Sequence, residues 1–148
     1  MASDIEFPNG MAITPDNRTL IIAESFARRL TAFDTDPDGG PSGRRVFAGE
    51  LGPDGICLDA EGAVWTGTLD YSVVRVAEGG EVLQRVELAE DRAAFALMLG
   101  GPDRRTLFIL TAEWRPADGI ANLERLAAGP RTGEILTLPV SVPGAGRP

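Results

Sequence analysis

"FPNGMAITPD" occupies residues 7–16 and "GPDGICLDAEG" residues 52–62. Each sets a proline, then Asn or Asp, then glycine, ahead of an apolar run that ends in a turn. Asn9 and Asp54 lie 45 residues apart, and the segments after them align without a gap, Asp16 on Glu61 and Leu20 on Trp65. A third copy, "GPDRRTLFILTA" (101–112), echoes "TPDNRTLIIAES" (14–25). A repeat of roughly 40–50 residues with about four strands per unit is the signature of propeller blades.

The rest of the chain fits that unit. "MAITPDNRTLIIAES" reads strand, Pro-Asp-Asn turn, strand; "RLTAFDTDPDGGPSGRRVFAG" reads strand, long polar turn, strand. "ICLDAEGAVWTGTL" and "SVVRVAEGGEVLQRVEL" repeat the design around Glu61-Gly62 and Gly79-Gly80, "FALMLGGPDRRTLFILTA" opens a third unit, and "GEILTLPVSV" closes the series. Short β-branched runs between turn residues predict an antiparallel meander. The expected fold is all-β: four-stranded propeller blades spanning approximately 7–50, 52–90 and 93–142, within one partial propeller domain over 1–148. Three blades are an open arc, since rings usually close at about four to eight. The one helical candidate is "GIANLERLAAG" (119–129), where Leu123, Leu126 and Ala127 could share a face.

Composition narrows the function. The chain has 148 residues, 43% of them hydrophobic, which suits a folded domain with a core. Its longest apolar runs, such as "LFIL" and "LIIA", are far too short to span a bilayer, so no membrane role is expected. "MASDIEF" lacks a basic segment followed by an apolar one, so no signal peptide is visible. A single cysteine, Cys57, excludes an internal disulfide and fits a reducing cytoplasm. The net charge of −8 argues against nucleic acid as a partner. Histidine is absent, which removes Ser-His-Asp and Cys-His catalysis and every His-ligated metal site. Chemistry must then run on carboxylates, amides, arginines or a metal held by oxygen.

Several stretches invite a site reading. Pro-Asn-Gly and Pro-Asp-Gly are ordinary turn sequences. Yet equivalent positions at the mouths of innermost strands would point Asn9 and Asp54 into one funnel. An amide oxygen and a carboxylate are hard donors suited to Ca²⁺ or Mg²⁺ and, less typically, Zn²⁺. "DTDPDG" (34–39) imitates the start of an EF-hand loop, but the twelfth position is Arg45, where a bidentate glutamate is required. It reads as a hairpin loop. Glu24, Asp70 and Glu113 end apolar strands and suit arginine-paired or solvated roles better than funnel-lining ones. Cys57 reads as a buried small hydrophobe, and Phe33, Phe47, Trp65, Phe95 and Phe108 as blade core. Trp114, in "TAEWRPADG", either caps the funnel or shields the last blade.

"FPNGMAITPDNRTLIIAES", "RRVFAGELGPDGICLDAEGAVW", "MLGGPDRRTLF" and the ending "TGEILTLPVSVPG" resemble the regucalcin/gluconolactonase (SMP-30/LRE-type) family, and the resemblance covers nearly the whole chain. It implies a six-bladed propeller with a divalent metal on its axis, calcium ahead of zinc, magnesium or manganese. It further implies hydrolysis of a small-molecule sugar lactone or related ester. By resemblance, Asn9 and Asp54 match two metal ligands, and Asp54 could also be the catalytic general base. The family's first-blade glutamate ligand and its early Arg and Asn substrate contacts have no counterpart here. The chain therefore matches the C-terminal half of the family pattern. A homodimer or an N-terminal half would complete the ring; a non-catalytic segment that binds a metal or a protein partner is the alternative.

Overall fold

Turn chemistry sets the frame of the fold. Asn17, Gly62 and Arg104, which hold matching places in the three repeats, all adopt left-handed backbone (φ 58°, 82° and 58°). Each closes a tight hairpin, with Asn17 N–H donating to Thr14 O, Gly62 N–H to Asp59 O and Arg104 N–H to Gly101 O. Asn and Gly tolerate that conformation most readily. The computed structural model describes residues 1–115, 124 and 127–146.

The hairpins build three antiparallel meanders. β1 (Pro8–Ile13), β2 (Thr19–Glu24), β3 (Arg29–Thr35) and β4 (Pro41–Ala48) form the first sheet in that order. β5 (Ile56–Leu58), β6 (Val64–Gly67), β7 (Ser72–Val76) and β8 (Val82–Glu87) form the second. β9 (Arg92–Gly100), β10 (Thr106–Glu113) and β11 (Glu134–Pro139) form the third. The architecture is that of propeller blades. The expectation of four strands in every blade fails in the third, which has three among the described residues.

The reason lies in the segment after β11. Val140 N–H donates to Arg105 O and Gly144 N–H to Arg104 O, while Ala60 N–H donates to Pro143 O and Ala145 N–H to Leu58 O. These backbone groups strap the third blade to the second, so they are not available for another rung beside β11. Gly144 is required there, because a Cβ would meet the Leu99 Cβ at 2.9 Å.

Two cores fill the gaps between blades. Ile21, Leu30, Phe47, Leu58, Val64 and Val74 pack between the first and second. Trp65, Val73, Leu97, Leu107 and Ile109 pack between the second and third. The middle blade is covered on both faces, so β6 and β7 are buried along their whole length. Phe33, Phe47 and Trp65 are core as expected, whereas Phe95 and Phe108 are only half-buried. Cys57 is buried, and burial pushes its thiol up to about 12, so it is inert. The outer faces carry exposed Met11 and Ile13 on the first blade and Met98, Leu110 and Ile135 on the third. Of the helical candidate at 119–129, only Glu124 and residues 127–129 fall among the described residues, with 124, 127 and 128 helical. No helix of the described residues is long and apolar enough to cross a membrane.

Candidate functional site

The innermost strands meet at one end of the arc. Gly10 N–H donates to Asp54 O (3.0 Å), and Gly55 N–H donates to Phe95 O (2.9 Å). A Cβ on Gly10 would lie 2.7 Å from Asp54 O, and one on Gly55 would lie 2.7 Å from Phe95 O and from the Ala96 Cα. The glycines of Pro-Asn-Gly and Pro-Asp-Gly thus permit close approach of neighbouring backbones. Their function here is packing around the axis as well as turning the chain.

The residues preceding these glycines are aimed by the same geometry. In the β1–β2 ladder Pro8 pairs with Glu24 and Met11 with Ile22, leaving Asn9 and Gly10 as a bulge. The β9–β10 ladder shifts likewise, Ala96 pairing with Leu110 and Ala94 with Thr111, with Phe95 between them. Bulges twist a strand and re-aim its side chains. Asn9, Asp54 and Phe95 are therefore structural counterparts in successive blades. The first two bring oxygen donors; the third brings a ring, packed edge-on against Trp114 with centroids 5.8 Å apart. The Phe95 side chain is half-buried rather than core, in a groove on the third blade with Leu110, Thr111 and Ile135, and Trp114 rests on it.

Asn9 and Asp54 come together. The Asn9 side chain hydrogen-bonds the half-buried Asp54 carboxyl. Burial pushes that carboxyl above the usual range, and the Asn9 bond pulls it back in part. Ser25, at the end of β2, adds a third group that sequence reasoning did not single out. Its hydroxyl donates to Pro53 O (2.7 Å) and accepts from Asn9 Nδ2 (3.4 Å), and its N–H donates to Phe7 O (3.1 Å). The only signal for it was position, immediately after the second strand of a repeat whose inner strand begins with Asn9.

The neighbouring carboxylates are otherwise engaged. Glu24 is fully buried and accepts from Arg29 Nε (3.0 Å), Arg44 Nη2 (3.2 Å), Glu6 N–H (2.8 Å) and the Thr31 hydroxyl. Burial pushes it up, but the bonds from Arg29, Thr31 and the Glu6 amide outweigh that and hold its pKa at about 2. Asp70 is held below the ordinary range by the Thr68 and Ser72 hydroxyls and by Arg85. In "DTDPDG", Asp34 pairs with Arg45 (2.7 Å), Asp36 accepts the Ser42 hydroxyl (2.6 Å) and Asp38 accepts Gly40 N–H (3.0 Å), the bonding of a hairpin loop.

The donor set at the axis suits a hard divalent cation. Asp54 offers charge that burial leaves poorly solvated, and Asn9 offers a neutral carbonyl oxygen. Among the described residues no cluster of three or more Cys, Asp or Glu side chains is placed to hold a metal; Asn9 and Asp54 are the two donors that meet here. Such a site needs water or further ligands to complete a coordination shell.

Comparison with known proteins gives the family of this fold. Residues 1–113 match the model of the SMP-30/gluconolactonase/LRE-like region. The 6-deoxy-6-sulfogluconolactonase of Pseudomonas putida is 34% identical over 155 aligned residues, covering 100% of this chain and 51% of that protein. The calcium-binding regucalcin structure from Agrobacterium tumefaciens superposes with a TM-score of 0.69 at 25% identity, covering 95% of this chain and 47% of that one. A Xanthomonas campestris gluconolactonase superposes at 0.62 with 29% identity, covering 72% of this chain and 35% of that one. The chain spans about half the length of the curated relatives it matches. With its repeated inner-strand phrase, its blades and its family match, this chain belongs to the SMP-30/gluconolactonase/LRE-like family.

Proposed function

We propose that this chain is part of a metal-dependent sugar-lactone or ester hydrolase of the gluconolactonase type, with Asn9 and Asp54 as metal ligands. The observation that carries the reading is the meeting of an amide and a half-buried carboxyl at equivalent points of adjacent inner strands. The lactonase names of its relatives support the substrate class. Calcium is the preferred ion, because both donors are hard oxygens and a related structure is described as calcium-binding. Zinc, magnesium and manganese are the alternatives.

A bound cation would supply Lewis-acid polarisation of the lactone carbonyl and a more acidic water. Asp54 contributes charge to the ion-binding site, and its carboxylate is the one group there able to take a proton from the attacking water. Water adds to the carbonyl carbon, the ring C–O bond breaks, and the departing oxygen takes up a proton to give the open hydroxy acid. Asn9 orients and coordinates only, since an amide accepts no proton at neutral pH. We assign the three sheets to one partial domain, completed to six blades by an N-terminal half or by a second copy. Unpaired, buried Cys57 suits a reducing cytoplasm.

The competing reading is a non-catalytic segment that binds a metal or a protein partner. The small number of protein donors favours it. Calorimetry with calcium on the wild-type chain and on Asp54→Ala, beside hydrolysis of a δ-lactone with and without metal, separates the two. Binding lost in Asp54→Ala with metal-dependent turnover in the wild type is expected. Binding without turnover supports the non-catalytic segment, and unchanged binding in Asp54→Ala removes the site assignment.

A further inference from the structure

We propose that Ser25 is a positioning residue that locks the Asn9 amide with its oxygen free for a cation. The inference rests on the metal-site reading above, but its physical basis is a count of donors and acceptors. A serine hydroxyl has one proton to give and two lone pairs to receive with. The Ser25 proton goes to Pro53 O at 2.7 Å. Toward Asn9 the hydroxyl can then only accept, so the amide must present Nδ2 and not Oδ1, as it does at 3.4 Å. The Asp54 carboxylate, acceptor-only when ionised, makes the same demand from the other side. The Ser25 bond commits one Nδ2 hydrogen and the Asp54 contact favours the same orientation, which leaves Oδ1 as the hard donor with no hydrogen bond.

The lock is anchored at both ends. Ser25 N–H is bonded to Phe7 O (3.1 Å), two residues before Asn9, and its hydroxyl is bonded to Pro53, the residue before Asp54. One residue therefore ties the backbone approaching each proposed ligand, through its N–H on one side and its hydroxyl on the other. Without the hydroxyl, the terminal amide torsion of asparagine is broad and roughly two-fold, and a half-turn would present NH₂ to the cation. Supporting groups of this kind typically alter metal affinity by about 10–100-fold when removed.

The test uses the full chain. Calcium titration by calorimetry is run on wild type, Ser25→Ala and Ser25→Thr, with a thermal melt of each. We expect Ser25→Ala to bind calcium about 10–100-fold more weakly at an almost unchanged melting temperature, and Ser25→Thr to restore the affinity because it keeps a hydroxyl. A second readout needs no metal: the Asn9 side-chain NH₂ resonances, assigned with Asn9→Ala, should shift and exchange faster in Ser25→Ala. Unchanged Asn9 resonances, or a loss of affinity that Ser25→Thr does not restore, overturns the proposal. A wild-type chain that binds no calcium while its Asn9 resonances respond to Ser25→Ala overturns the metal reading and leaves the amide lock standing.

Discussion

Glu24 shows how much of the first blade depends on one carboxylate. It is fully buried, yet ionised, because two guanidinium groups, a hydroxyl and a backbone amide converge on it. Its folded pKa of about 2 lies below the ordinary glutamate value of 4.5. A depressed carboxyl pKa contributes stability that is fully present above the unfolded value and lost as pH falls through the folded one. The melting temperature of the wild-type chain should therefore fall between about pH 4.5 and pH 2. Glu24→Gln should lose about 1.5–3 kcal/mol at neutral pH, the worth of hydrogen bonds to a charged group. It should also flatten the acid limb. Circular-dichroism melts across that range check both, and an equally steep limb in the variant would exclude Glu24 as its source. Asp59 has a similar structural role in the second blade, taking Arg75 Nε at 2.5 Å and the Glu61 and Ala63 N–H groups.

At the scale of elements, the inner strands are the unusual ones. They meet through single cross-blade hydrogen bonds at Gly10 and Gly55, where there is no space for a side chain. Gly55→Ala would place a Cβ 2.7 Å from Phe95 O and from the Ala96 Cα, both backbone atoms that cannot rotate away. We expect it to cost about 1–3 kcal/mol, as overpacking does, and to weaken calcium binding by pushing Asp54 off its place. Gly49→Ala is the control, because no atom lies within 4 Å of its Cβ position. Denaturant unfolding of both variants decides the matter: equal stabilities would mean that the inner strands tolerate separation. The strap over Val140–Ala145 works the other way, tying two blades through backbone bonds to Arg104, Arg105, Leu58 and Ala60.

The molecule as a whole is an arc with two flanks. One presents Met11 and Ile13, the other Met98, Leu110 and Ile135, and β11 is an outer strand with no neighbour beyond it among the described residues. Exposed apolar faces and open strand edges favour association. Two arcs related by a two-fold axis would set the third-blade face of each against the first-blade face of the other, as in an isologous dimer. We expect sedimentation at micromolar concentration to give a dimer mass, and Ile135→Arg to shift it to monomer. A compact, cooperatively melting wild-type monomer would rule out the two-chain ring and leave an N-terminal half as the completing partner.

Much of this was legible in the residues. Periodic turns at Asn17, Gly62 and Arg104, short β-branched runs and the 45-residue spacing of Asn9 and Asp54 are local properties, and local chemistry writes meanders and blades directly. The pairing of Asn9 with Asp54 was readable because equivalent positions in a repeat occupy equivalent points around an axis. Other features depended on contacts between distant segments. Nothing in "LGPDG" or "AES" says that Ser25 reaches Pro53, or that Glu24 gathers Arg29 and Arg44. Phe95 reads as core because apolar neighbours surround it in sequence; it sits at a bulge and is half-buried beside Leu110 and Ile135. The third blade has three strands among the described residues, and the backbone after β11 bonds to the second blade. Sequence determined the strands, turns and repeat because these are set by neighbours along the chain. Tertiary structure alone decided which side chains share a hydrogen bond, because that depends on how the blades close upon one another.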